Sequence, residues 1–143
     1  MATAYETDIV AWANEQAALL RSGQWSAIDV LNIAEEIEDV GKSERRELAS
    51  RLSVLMAHLL KWKFQAARQG ASWRATIDVQ RARIRSLLSR MPSLAPSLSD
   101  ADWIQDAWQD ALVIFIHETG IVTYPKECIW PIDQILNDEF LPE

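Results

Sequence analysis

The run "RLSVLMAHLLKWKFQ", Arg51 to Gln65, limits what the chain can fold into more than any other stretch. Starting just before it, Leu48, Leu52, Leu55, Leu59 and Trp62 recur at spacings of four and three. That is the spacing of one face of an α-helix packed in a bundle, and no strand can place these side chains on one side. A seam this long needs partner helices with matching apolar stripes. With four glycines and five prolines in 143 residues, the rest of the chain has few of the breakers that a turn-rich β architecture uses.

The flanking segments supply those partners. Ile9, Trp12, Ala13, Leu19 and Leu20 form a stripe that predicts a first helix from about Thr7 to Ser22, ended by Gly23, with Gln16 inside the stripe. A second helix starts near Ser26 or Asp29, stops at Gly41, and buries Val30, Ile33, Ala34, Ile37 and Val40. At about 100° per residue, Glu35 and Asp39 point away from that face while Glu36 and Glu38 flank it. The leucine seam belongs to a third helix from about Ser43 to Gln69. A fourth runs from Ser72 to about Met91, with Gln80 in its seam and Arg74, Arg81 and Arg85 on one flank. "PSLAPSLSD" is a linker, and a fifth helix follows from Ser99 or Asp100 to Thr119. Tyr124 and Trp130 each precede proline, which makes the tail extended before a short helix at about Pro131 to Asn137. The expected fold is all-α: a bundle of four or five main helices with an extended C-terminal arm and a short terminal helix, in one domain over residues 1–143.

Charge is segregated along the chain. Residues 1–41 hold one arginine against eight acids, a net of −7; residues 42–90 hold twelve basic residues against three acids, +9; residues 91–143 hold one lysine against ten acids, −9. A basic middle flanked by acidic ends is self-complementary. The overall charge of −7 disfavours a nucleic-acid partner, although Arg74, Arg81 and Arg85 would be the residues to serve one. No apolar stretch is long enough to span a membrane, and the N-terminus has no basic segment followed by an apolar run. The single cysteine, Cys128, forms no internal disulfide and fits a reducing compartment. A cytoplasmic protein is expected, without membrane attachment.

Motifs for chemistry are sparse. There is no glycine-rich phosphate loop, no serine-hydrolase elbow and no Glu-x-x-His pair for a di-iron bundle. No metal and no cofactor is expected. His117 suits a helix C-terminus, and Cys128 suits packing in the arm. The remaining oddities lie on or near the leucine helix. Arg51 and His58, seven residues apart, share one border of its seam. Arginine neutralises phosphate oxygens and histidine moves protons, so the pair fits the loose Arg-x(4–6)-His pattern of the helical higher-eukaryote-and-prokaryote nucleotide-binding ribonucleases. The alternative is that carboxylates of the preceding helix, Glu36 or Glu38, pair with both. Gln16 and Gln80, each inside an apolar stripe, must find partners, and with Glu36, Arg51 and His58 they could form one polar network.

The segments "YETDIVAWANEQAALL", "AEEIEDVGKSERREL", "LMAHLLKWKFQ", "SWRATI" and "FLPE" together resemble the bacterial family catalogued as domain of unknown function number twenty-nine, found largely in cyanobacteria and proteobacteria. Where members often read Pro-Glu-Glu-Cys-Pro near the tail, this chain has "PKECIW". The resemblance implies a small, helical protein and brings no catalytic residues. The family pattern includes counterparts of Gln16, Glu36, Arg51, His58, Lys61, Trp62 and Trp73. Gln16, Glu36, Arg51 and His58 therefore stand as the candidate polar cluster, and Lys61, Trp62 and Trp73 as candidate binding residues. The expected function is self-association or binding of a protein partner, with the leucine seam as a possible helical dimer interface. The alternative is a metal-independent ribonuclease or toxin-like enzyme using Arg51 and His58.

Overall fold

A computed structural model describes residues 4–143. It has five α-helices: α1 (Ile9–Arg21), α2 (Val30–Phe64), α3 (Ala71–Arg90), α4 (Ala101–Thr119) and α5 (Ile132–Leu136). Short 3-10 turns lie at Trp25–Ala27, Ala66–Arg68 and Pro92–Ser99. No strand occurs among the described residues, and the fold is all-α.

The termini of these helices follow from local chemistry. Asp8 caps α1 by accepting the Ala11 N–H at 3.1 Å, and Gly23, with φ of 73°, turns the chain out of it. Asp100 caps α4 by accepting from Asp102 and Trp103, and Gly120 ends that helix with φ of 71°. One expected stop is absent. Gly41 does not separate two helices but lies inside α2, which runs for 35 residues. Its φ is not positive, so it makes no left-handed turn. A glycine inside a helix costs only about 1 kcal/mol, and the strong helix formers around it outweigh that. At its other end α2 stops at Phe64, not Gln69. The Gln69 side chain turns back and donates to the Trp62 carbonyl at 2.8 Å, satisfying one of the helix's last acceptors.

The chain divides into two compact units, Met1–Ser43 and Glu44–Glu143. In the second, the leucine seam is the centre of the core. Leu48, Leu52, Leu55, Leu59 and Leu60 are fully buried, together with Ile77 and Ile84 of α3 and Trp108, Ala111 and Phe115 of α4. The buried Ser53 hydroxyl bonds to the Ala49 and Ala107 carbonyls, fixing α2 against α4. The C-terminal arm is tied down by polar contacts. Trp108 Nε1 donates to the Pro125 carbonyl, Gln105 holds both Lys126 and Cys128, and Arg81 holds the end of the chain.

The first unit differs in kind. Among its described residues only Trp12 and Gln16 are buried. Polar bonds connect its parts. Trp12 Nε1 donates to the Asp29 carboxylate at 3.0 Å, the Asp29 backbone N–H donates to Gln16 Oε1 at 2.8 Å, and Asn32 donates to Asp29 from its side chain at 2.8 Å. These donors hold the Asp29 carboxyl below its usual pKa, the Asn32 bond most of all. Ile33 N–H bonds to the Asp29 carbonyl, so the residue that begins α2 also anchors α1.

Gly41 supplies a direct check on α2. A Cβ added there meets nothing within 4 Å. Gly41→Ala is therefore expected to stabilise the chain by about 0.5–1 kcal/mol in chemical denaturation. A loss of stability would mean that Gly41 breaks the helix.

Candidate functional site

A groove of about 250 Å³ lies between α1 and the first part of α2. Trp12, Ala13, Gln16, Ala17 and Leu20 line one wall, and Ile33, Glu36, Ile37 and Val40 the other. On α2 the spacing of three and four puts Ile33, Glu36, Ile37 and Val40 along one side, over about two turns. The sequence places Ile37 and Val40 on a buried face. In the structure they are 67% and 65% exposed. Of thirteen large apolar residues that are exposed among the described residues, eight belong to the first unit, including Val10, Trp25, Val30 and Leu31. The physical reason is size. A unit of about forty residues has too little surface to enclose its own apolar stripes.

Two of the candidate polar residues, Gln16 and Glu36, line this groove. Gln16 is satisfied by the Asp29 backbone, which accounts for a glutamine inside an apolar stripe. Glu36 accepts a hydrogen bond from the Tyr5 hydroxyl. That bond, with burial and the nearby Glu35 and Asp39 charges, raises the Tyr5 pKa to about 12. The Tyr5 ring packs edge-on against Trp12, with centroids 4.8 Å apart. Among the described residues of the lining, Glu36 is the only charged one.

The other candidates lie in the second unit, and their partners differ from those expected. Arg51 pairs with Glu47, one turn before it on the same helix, at 3.0 Å, and makes a longer 3.5 Å contact with Gln80 of α3. Gln80 therefore finds its partner in Arg51. His58 Nδ1 lies 2.9 Å from the Val54 carbonyl; a carbonyl only accepts, so Nδ1 carries the proton. Burial, more than the opposing Val54 bond, lowers the His58 pKa, and the Lys61 charge lowers it further. Arg51 and His58 both take partners from their own helix.

Lys61 and Trp73 do meet. The Lys61 side chain is only 8% exposed, its ammonium stands 5.6 Å above the Trp73 ring, and it is ion-paired with Glu118 of α4. Burial pushes its pKa down, and Glu118 supplies the compensating carboxylate. Trp62 is half-buried against the core and offers its carbonyl to Gln69. Lys61 and Trp73, with Glu118, thus join α2 to α3 and α4. Glu118 was not singled out in the sequence, where it appears only as the end of a helix.

Arg74, Arg81 and Arg85 do not make a cationic face. Arg81 is fully buried and donates from Nε to the Ile135 carbonyl and from Nη2 to the Phe140 carbonyl, both at 2.8 Å. Arg74 pairs with Asp78, and Arg85 with Asp138 at 2.7 Å. The spacing Ile77, Arg81, Ile84 puts Arg81 in the apolar seam of α3, a signal that its charge hides. Among the described residues no group of three or more His, Cys, Asp or Glu side chains is placed to hold a metal ion, and no helix is long and apolar enough to cross a membrane.

These features define an all-helical protein with a packed C-terminal core and an open apolar groove near its N-terminus. The chain belongs to the family described as domain of unknown function DUF29, whose model matches residues 4–141. No curated protein and no solved structure matches it.

The His58 environment sets a pH dependence. Its folded pKa lies below the ordinary 6.5, so below pH 6.5 the unfolded chain binds more protons at this site than the folded one. Its contribution is fully present above pH 6.5 and is lost as pH falls toward the folded value. Between pH 7.5 and 5, His58→Gln should lose less stability than the parent chain in urea titrations. Equal losses in the two would show that the ring is not buried as described.

Proposed function

We propose that this protein acts by binding a helix of a protein partner in the groove between α1 and the first part of α2. The observation that supports the reading is the exposed apolar wall of Ile37 and Val40 facing Leu20 and Trp12. Apolar surface that rims a groove of this size on an otherwise well-packed protein is characteristic of a helix-in-groove interface. The leucine seam, which the sequence offered as a dimer face, is enclosed in the second unit and is unavailable to a partner. A reaction at Arg51 and His58 gains no comparable support, because the Arg51 guanidinium is occupied by Glu47 and the His58 Nδ1 proton by Val54. The reading takes the protein as cytoplasmic and bacterial; the free thiol of Cys128 and the family resemblance favour this.

Residues that serve a partner and not the fold can be changed without unfolding the chain. Replacing Ile37 and Val40 together by glutamine should shift Tm by no more than a few degrees, as for other exposed positions. The same double variant should bind a synthetic amphipathic helix with an uncharged polar face at least tenfold more weakly, as read by fluorescence anisotropy of the labelled peptide. Loss of the fold in the double variant, or equal peptide binding by both proteins, would overturn the proposal.

A further inference from the structure

The groove also carries information about the charge of what it binds. Among the described residues its lining is apolar except for Gln16 and Glu36. Gln16 already holds the Asp29 backbone, whereas Tyr5 bonds one oxygen of the Glu36 carboxylate, and no described residue donates to the second, Oε2. Around this carboxylate acidic groups predominate, with Lys42 of the same helix paired to Asp39. Residues 1–41 contain Arg21 as their one basic residue against eight acids, a net of −7. Glu35 and Glu38 are exposed on the outer surface of the same helix. A helix is only about 10 Å across, so these charges stand within about one Debye length of a ligand in the groove at physiological salt.

We infer that the occupant of the groove is a basic amphipathic helix, with apolar side chains at i, i+3 or i+4 and i+7 and a lysine or arginine placed to meet Glu36. This rests on the helix-docking reading above and adds the chemistry of the partner. The apolar part follows from the wall spacing. Ile33, Ile37 and Val40 offer two turns of contact, which three anchors on a helix match. The basic part follows from complementarity. An acidic partner would bring like charges together across an apolar seam, which interfaces penalise. For the same reason a second copy docked groove to groove is disfavoured, since it would bring two N-terminal segments of −7 into contact.

Three synthetic helices with the same leucine face and polar faces of lysine, glutamine or glutamate test this against the full chain. Anisotropy titrations at 50 mM salt should give tighter binding for the lysine helix than for the glutamine helix, and at least tenfold tighter than for the glutamate helix. The ratio should shrink severalfold at 500 mM salt. Glu36→Gln, which retains an acceptor for Tyr5, should weaken the lysine helix severalfold more than the glutamine helix. Equal affinities for all three would overturn the basic partner while leaving helix docking intact. Failure of all three to bind would overturn both. Sedimentation showing a dimer that Ile37→Gln dissociates would assign the groove to a second copy and overturn the basic partner.

Discussion

Burial of the leucine seam of α2 is the interaction on which the second unit depends. Leu48, Leu52, Leu55 and Leu59 are withdrawn completely from water, and α3 and α4 are arranged to cover them. Each fully buried leucine contributes roughly 2 kcal/mol from transfer alone. The polar groups beside the seam are then constrained to find partners within it. Ser53 turns to the Ala107 carbonyl, Lys61 to Glu118 and Trp73, and Arg81 to the carbonyls that end the chain. Among the described residues Arg81 Nη1 alone is left buried without a bond, so that guanidinium is held through Nε and Nη2. These contacts explain why residues with the chemistry of catalysis or binding can sit in this helix and still serve architecture.

The first unit obeys the opposite economy. Its helices carry apolar stripes as regular as those of the second unit, but only Trp12 and Gln16 become buried. What holds it is a polar set centred on Asp29, which caps α2, receives the Trp12 indole and donates its backbone N–H to Gln16. Directional bonds fix the two helices without consuming their apolar faces. The groove is the result: a shaped apolar surface, held open, with one carboxylate in it. Binding would cover an area that the free chain leaves in water.

Much of this was legible in the sequence, and the parts that were not have identifiable causes. Periodicity located α1, α3, α4, both parts of α2 and the leucine seam, because a stripe at spacings of three and four has one structural meaning. The start at Asp100 and the stop at Gly23 were readable from chemistry instead, an aspartate that accepts from the first free N–H groups and a glycine that takes the left-handed turn. Gly41 misled, since a glycine adopts ordinary helical angles as easily as left-handed ones and only its neighbours decide. Burial of a stripe was the harder inference. Periodicity shows that Ile33, Ile37 and Val40 lie together but not whether anything covers them. The candidate site was legible only in part. Gln16 and Glu36 do line a groove, Lys61 and Trp73 do meet, and Arg51 and His58 take partners one turn away on their own helix. Local pairs such as Arg51 with Glu47 compete with any long-range partner, and sequence alone does not rank them.

The contrast between an enclosed seam and an open groove is most directly measured by hydrogen exchange on the full chain at pH 7, resolved by segment. The slowest amides should fall in residues 52–60 of α2 and 107–115 of α4, with opening energies close to global unfolding. Amides of α1, Ile9–Arg21, should exchange at least a hundredfold faster, and adding a bound amphipathic helix should slow them. Protection of α1 equal to that of the leucine seam in the free chain would mean that its apolar face is already covered, and the open groove would have to be abandoned.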